Sequence, residues 1–175
     1  MASNKKADPN HKTQPDIQIT PSNCVLILDD NTHLRQTLGT ILQSKGFQCV
    51  LAAKGEQALD IIAHQNIAVA ILELRLEETN GLEILNTIRK RSPSTACILL
   101  TGHASQSSAI EAVNRGAYSY FEKPLDIEQL LLSIRNAIEK RNMEQALRDS
   151  EQRYRTLFNH AGDAIFVHDL DSNLL

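Results

Sequence analysis

Five positions carry the polar chemistry of this chain: the adjacent pair Asp29-Asp30, Glu73, Thr101 and Lys123. Three carboxylates supply anionic oxygens of the kind a hard cation such as magnesium takes in near-octahedral geometry, with waters in the remaining places. A lysine ammonium beside carboxylates is held in its charged form, and a threonine hydroxyl can donate to a further oxygen. Such a set outlines an acidic pocket suited to a phosphoryl group. Each member also has a plainer reading. Asp29-Asp30 fits a solvated turn or a capping pair, and Lys123 before Pro124 fits a surface lysine ahead of a helix start. The pocket stands only if one fold gathers residues so far apart in sequence.

The apolar pattern supplies such a fold. Cys24 to Leu28 is a short apolar run ending in the two aspartates. Asn31 can cap a helix with Leu34, Leu38, Ile41 and Leu42 on one face, closed by Gly46,. Phe47 to Leu51 reads as a second strand, followed by a helix that turns Ala58, Leu59, Ile61 and Ile62 inward. Ile67 to Leu72 is apolar throughout, as expected of a strand buried on both faces,. Asn80 caps a helix bearing Leu82, Ile84, Leu85 and Ile88. Ala96 to Leu100 is a fourth strand, Ser105 to Arg115 a fourth helix closed by Gly116, and Ala117 to Phe121 a fifth strand. After Pro124, Asp126 opens the last helix. Alternating strands and helices imply an α/β fold, a five-stranded parallel sheet covered on both faces. Ligand sites of such sheets lie beyond the carboxyl ends of the strands. All five polar positions fall at those ends.

Four stretches then resemble the receiver domain of two-component response regulators. They are Leu26-Ile-Leu-Asp-Asp30, Ala70-Ile-Leu-Glu-Leu-Arg-Leu76 with Asn80-Gly81-Leu82, Leu99-Leu-Thr-Gly-His-Ala104, and Gly116-Ala-Tyr-Ser-Tyr-Phe-Glu-Lys-Pro-Leu125. The resemblance covers about residues 23 to 140. It implies a doubly wound, flavodoxin-like sheet with position 73 as the phospho-acceptor. It also implies magnesium held among Asp29, Asp30, Glu73 and the backbone carbonyl of Arg75. Lys123 would pair first with the acceptor carboxylate and then with a phosphoryl oxygen. Thr101 and Tyr120 would form the switch pair, with Tyr120 alternatively a packed strand residue. A cis bond before Pro124 is common in such proteins.

Two residues depart from the family pattern. Aspartate is the usual acceptor, and Glu73 carries one more methylene, a shift of roughly 1.5 Å. Misplacement near 1 Å can cost ~100-fold where positioning carries the reaction. Glu77 stands where the family usually has proline, and Arg75 adds a positive charge beside it. The expectation is a pseudo-receiver. Glu73 either mimics the phosphorylated state, with one charge against nearly two, or leaves the pocket inert. A working receiver with unusual chemistry is the alternative. A metal-dependent phosphohydrolase is the rival from another class, but such enzymes commonly use an Asp-x-Asp pair at one strand end, where here the pair is adjacent as Asp29-Asp30, and a Gly-rich phosphate loop is missing,.

Residues 1–22 are polar, with Pro9, Pro15 and Pro21, and read as a disordered tail before a receiver-like core at 23–125,. The last helix has neither proline nor glycine from Asp126 to Phe158. Leu130, Leu131, Ile134, Ala137 and Ile138 form one stripe; Met143, Ala146, Leu147, Ser150, Tyr154, Leu157 and Phe158 form another, offset from it. The second stripe suggests a signalling linker over 126–158 and a homodimer through a coiled coil. Ala146 to Phe158 and Asp163 to Asp169 resemble the entry helix and first strand of a PAS sensory domain, whose start would occupy 159–175. A histidine kinase or a downstream signalling domain is the implied partner.

Composition sets outer bounds. A net charge of −3 over 175 residues favours neither nucleic acid nor an anionic membrane as main partner,. No stretch approaches the roughly 20 apolar residues of a membrane span. Cys24, Cys49 and Cys97 sit in apolar runs without metal-ligand spacing, as reduced thiols of a cytoplasmic protein would,.

Overall fold

The computed structural model describes residues 23–102 and 106–160. Five strands and five helices alternate: β1 (Cys24–Leu28), α1 (Thr32–Ser44), β2 (Gln48–Ala52), α2 (Gly55–His64), β3 (Val69–Glu73), α3 (Gly81–Arg91), β4 (Ala96–Thr101), α4 (Gln106–Asn114), β5 (Ser119–Glu122) and α5 (Ile127–His160). All neighbouring strands pair in parallel, in the order β2-β1-β3-β4-β5. From β1 the chain moves outward to β2, then returns to the other side of β1 with β3. That reversal opens a crevice over the carboxyl ends of β1 and β3.

Side chains alternate across each strand and so build two cores. Leu26, Leu28, Ala70, Leu72 and Leu99 meet Ala58, Ile62, Leu85 and Ile88 of α2 and α3 on one face. Val25, Ile27, Val69, Ile71, Ile98 and Leu100 meet Leu38 and Leu42 of α1 and Leu130, Leu131 and Ile134 of α5 on the other. Both faces of β3 are therefore covered, which explains its unbroken apolar run.

The caps form where the sequence places them. Asn31 accepts from the Leu34 N–H at 3.0 Å and Asn80 from the Leu82 N–H at 2.9 Å. Asp126 accepts from the N–H groups of Glu128 and Gln129 at 3.0 and 3.1 Å. Gly46 and Gly116 end their helices at φ 91° and 79°, a region that disfavours side chains,.

Strand limits differ from the apolar runs. Phe47, Ile67, Ala68, Ala117 and Tyr118 precede β2, β3 and β5 instead of opening them, while β3 and β4 run on through Glu73 and Thr101. Phe47 and Ile67 still fill the core, at 9% and 1% exposure. Burial extends past the ladder, so hydrophobicity alone misplaces where pairing starts.

Helix α5 continues to His160, past the expected end at Phe158. Its first part buries Leu130, Leu131, Ile134, Ala137 and Ile138, whereas Met143, Leu147, Tyr154, Leu157 and Phe158 are exposed. Among the described residues no helix is long and apolar enough to cross a membrane. The 1–22 segment and the PAS-like strand and turn at 163–173 lie outside the described residues.

Candidate functional site

The described polar or charged residues that are buried are Asp29, Glu73, Thr95 and Thr101. Thr95 lies at the opposite end of the sheet, where its hydroxyl donates to the Ile67 carbonyl at 2.9 Å. The other three stand at the carboxyl ends of β1, β3 and β4, around the crevice. Burying a charged group is costly unless it is paired and hydrogen-bonded. The crevice meets that demand with fixed partners.

The Lys123 N–H donates to the Thr101 carbonyl at 2.7 Å, which carries the β4–β5 pairing one residue beyond β5. Its side chain turns into the crevice. There Nζ donates to Asp29 Oδ2 at 2.9 Å and also to Glu73 Oε2. Burial opposes the lysine charge, but the hydrogen bonds and attraction from Glu73 and Asp29 outweigh it and hold the Lys123 pKa above its ordinary value,. Glu73 Oε1 accepts from the Arg75 N–H at 3.1 Å. Asp29 Oδ1 accepts from the Asn31 N–H at 2.8 Å. Both oxygens of each buried carboxylate are thus engaged.

Asp30 stands at the rim. Its Oδ2 accepts from the Glu77 N–H at 3.1 Å, away from Lys123. The β3–α3 loop that supplies this N–H is tied back on itself. Arg75 and Asn80 form an antiparallel bridge, and the Gly81 N–H donates to the Leu74 carbonyl at 2.9 Å. Thr101 is fully buried at the end of β4. Tyr120 is half-buried, its hydroxyl 3.0 Å from Ser108 Oγ on α4. The Lys123-Pro124 bond is cis.

The family model of the response regulator receiver domain matches residues 25–135. The chain belongs to that family. Receiver domains are signalling modules and not catalysts. An NtrX-like response regulator of Rickettsia bellii is 38% identical over 117 residues, covering 66% of this chain and 24% of that protein. The regulatory protein AtoC of Escherichia coli is 31% identical over 134 residues, covering 77% and 29%. The chain therefore spans roughly a quarter of the length of these curated relatives. Among solved structures, a CheY-like receiver from Methanospirillum hungatei superposes with a TM-score of 0.66 at 28% identity, over 69% of this chain and 97% of the other. The beryllofluoride-activated NtrC4 receiver domain dimer gives 0.65 at 30% identity, over 68% and 98%.

Receiver domains typically bind magnesium at the phosphorylation site. The donors here are chemically right, being hard oxygens. Their arrangement is not that of a ligand set. Lys123 lies between Asp29 and Glu73, Asp30 turns to Glu77, and among the described residues no three acidic, histidine or cysteine side chains converge. Magnesium among Asp29, Asp30, Glu73 and the Arg75 carbonyl would compete with Lys123 for Asp29 Oδ2 and Glu73 Oε2.

Arg35 is a site neighbour that the sequence reading passed over. Its guanidinium donates to the Asp29 carbonyl and, at 3.3 Å, to Thr32 Oγ1. A signal was present. A cation one turn into α1 opposes the helix dipole, so its placement calls for a nearby acceptor. The Glu77 N–H had a signal as well: Glu77 stands where the family usually has proline, which carries no N–H, so that departure supplies the donor to Asp30,. The thiols stay outside this chemistry. Burial pushes Cys97 up to about 12, while burial and then Cys24 push Cys49 to about 11.

Proposed function

We propose that this chain is a pseudo-receiver. It is a receiver-like module whose pocket no longer takes a phosphoryl group efficiently and whose last helix passes conformation or dimer geometry onward. The observation that carries this is the state of the Glu73 carboxylate. The acceptor-equivalent group is buried, with one oxygen on the Arg75 N–H and the other on Lys123. A nucleophile so held is both misplaced by its extra methylene and shielded by its partners. Thr101 and Tyr120 keep the places of a switch pair, and Lys123 keeps the place of the phosphate-pairing cation.

The exposed stripe of α5 supports homodimerisation through that helix. Met143, Leu147, Tyr154 and Leu157 follow one another at steps of four, seven and three residues, the spacing of a coiled-coil seam,. The NtrC4 receiver domain was solved as a dimer in its beryllofluoride-activated state. A PAS domain after α5 and a histidine kinase as cognate partner complete the proposal.

The test is a titration of wild type and Glu73→Asp with fluoroberyllate and acetyl phosphate, followed by NMR shifts at Thr101 and Tyr120. A response confined to Glu73→Asp is expected. Stoichiometric phosphorylation of the wild type would overturn the pseudo-receiver. Wild-type shifts resembling the activated variant identify a domain set permanently on; shifts resembling the untreated variant identify an inert one.

A further inference from the structure

A polar cavity of about 380 Å³ opens at the amino-terminal end of the sheet, opposite the crevice. It is lined by Thr95 at the foot of β4, Gly116 after α4, Arg89 of α3, and Lys140 and Arg141 of α5. A volume of that order suits a small ligand. Three cations face one carboxylate, that of Glu144, whose Oε2 already lies 3.8 Å from Arg148 Nη2 one turn along the helix. Among the described residues none of the three cations forms an ion pair.

The two arginines are held by neutral oxygens. Arg89 Nη1 donates to the Gly116 carbonyl at 2.8 Å, and its guanidinium occupies the place that a Cβ on Gly116 would take. Arg141 Nη2 donates to Asn66 Oδ1. Arg141 is half-buried, and burial pushes its pKa below the ordinary value with no carboxylate opposing the shift,. A buried charge of this kind calls for a counterion. The helix dipole accounts for Arg89, which sits in the last turn of α3,. It does not account for Lys140 and Arg141, which lie mid-helix in α5.

We propose that this cavity binds a small phosphate-bearing anion, held by Arg89 from α3 and by Lys140 and Arg141 from α5. A guanidinium matches phosphate oxygens with paired hydrogen bonds, and each arginine keeps N–H groups beyond the one already used. Ile138 is the last buried residue of α5, so Lys140 and Arg141 stand where the helix leaves the domain. An anion there ties α5 to the end of α3 and fixes the direction of the exposed stripe. The proposal goes beyond the pseudo-receiver reading and does not depend on Glu73, which lies at the other end of the strands.

The full chain is titrated with inorganic pyrophosphate and, separately, with ADP, in magnesium-free buffer at an ionic strength of about 0.15 M, with amide NMR as the readout. Saturable shifts are expected at Arg89, Thr95, Gly116 and Arg141, with Asp29, Glu73 and Lys123 unmoved. Arg89→Gln and Arg141→Gln should each weaken binding by on the order of 10-fold, as loss of a charge-assisted hydrogen bond does; either carries the test if the other does not fold. Arg153→Gln makes the same charge change at an exposed site farther along α5 and should leave affinity within ~2-fold, because screening removes its distant charge,. Equal or weaker binding of ADP supports recognition of the phosphates alone, and tighter binding of ADP supports a ligand that includes the nucleoside. No saturable binding of either probe overturns the proposal. So do shifts confined to the crevice, or an Arg153→Gln loss as large as that of Arg141→Gln. Phosphorylation of Glu73 is read by a different titration, so the pseudo-receiver stands or falls separately.

Discussion

A methyl group added at Gly81 would test how tightly the β3–α3 loop sets Glu73. A Cβ there would lie 2.3 Å from the Glu73 carbonyl oxygen, 3.0 Å from Leu74 Cα and 3.1 Å from the Glu73 carbonyl carbon. Comfortable separations begin near 3.5 Å, so the chains must part by roughly 1 Å. All three atoms are backbone, and no rotamer relieves the contact. The loop also resists opening, because the Gly81 N–H holds the Leu74 carbonyl and Asn80 caps α3. Overpacking of this kind costs about 1–3 kcal/mol, and rigid neighbours on both sides place Gly81→Ala in the upper half of that range. The lower chain entropy and better helix propensity of alanine return about 0.5–1 kcal/mol. A net loss of about 2 kcal/mol in urea melts is expected, equivalent to roughly 4–8 °C in Tm for a chain of this size. Gly102→Ala is the control: a Cβ there meets nothing within 4 Å, and its φ is not in the strained positive range. It should stay within about 0.5 kcal/mol of wild type. Gly81→Ala should in addition move the amide signals of Glu73, Arg75 and Lys123. Wild-type stability with those signals unmoved would refute the idea that this close approach positions the acceptor strand end.

Two other expectations follow from the same geometry. The folded pKa of Lys123 is raised, so its stabilising contribution is complete below the ordinary lysine value of 10.5 and is lost as pH climbs through the folded value,. The gap in Tm between wild type and Lys123→Met should therefore be constant between about pH 7 and 9 and narrow above about pH 10.5; a gap that stays constant as pH rises well above 10.5 would contradict the lysine-centred pocket. Chains ending after residue 140 or after residue 160 test the second stripe of α5. Sedimentation should give a monomer for the shorter and a concentration-dependent dimer for the longer, and a monomeric longer chain would remove α5 as the dimeriser.

Much of the pocket was legible before any coordinates. Asp29, Glu73, Thr101 and Lys123 could be brought together on paper because each follows an apolar run, and parallel strands align their carboxyl ends. That inference needs only strand direction, which alternating helices impose. The orientation of Asp30 was legible only as far as the donor that Glu77 supplies in place of proline. Its partner is a backbone N–H 47 positions away, in a loop whose shape depends on the Gly81–Leu74 contact. Nor was the position of the Lys123 ammonium, which depends on a balance between burial and two carboxylates that sequence does not measure. The α5 helix was legible as a long helix from its lack of proline and glycine. Its buried part was legible from spacing, because Leu130, Ile134, Ala137 and Ile138 must share a face.

The pocket and α5 are joined twice. Along the chain, Lys123 is three residues from Asp126, whose carboxylate caps the helix at 3.0 and 3.1 Å. Across the sheet, Ile71, Ile98 and Leu100 of the strands that carry Glu73 and Thr101 share a core with Leu130, Leu131 and Ile134 of α5. A change that withdrew Lys123 from Glu73 would thus act at the start of the helix and on the strands beneath it. In an aspartate receiver, phosphorylation would be such a change. On the pseudo-receiver reading Glu73 keeps the ammonium engaged, so one arrangement of the Lys123–Asp126 segment persists and the direction of α5 is constant. The exposed stripe beyond Ile138 would then meet a second copy in a single geometry, and regulation would have to enter from a partner or from the segment that follows α5. Glu73→Asp is the variant that restores the choice. If it alters dimer geometry only when fluoroberyllate is present, the coupling runs from pocket to helix; if geometry never changes, the helix is set by its own packing and Glu73 governs the pocket alone.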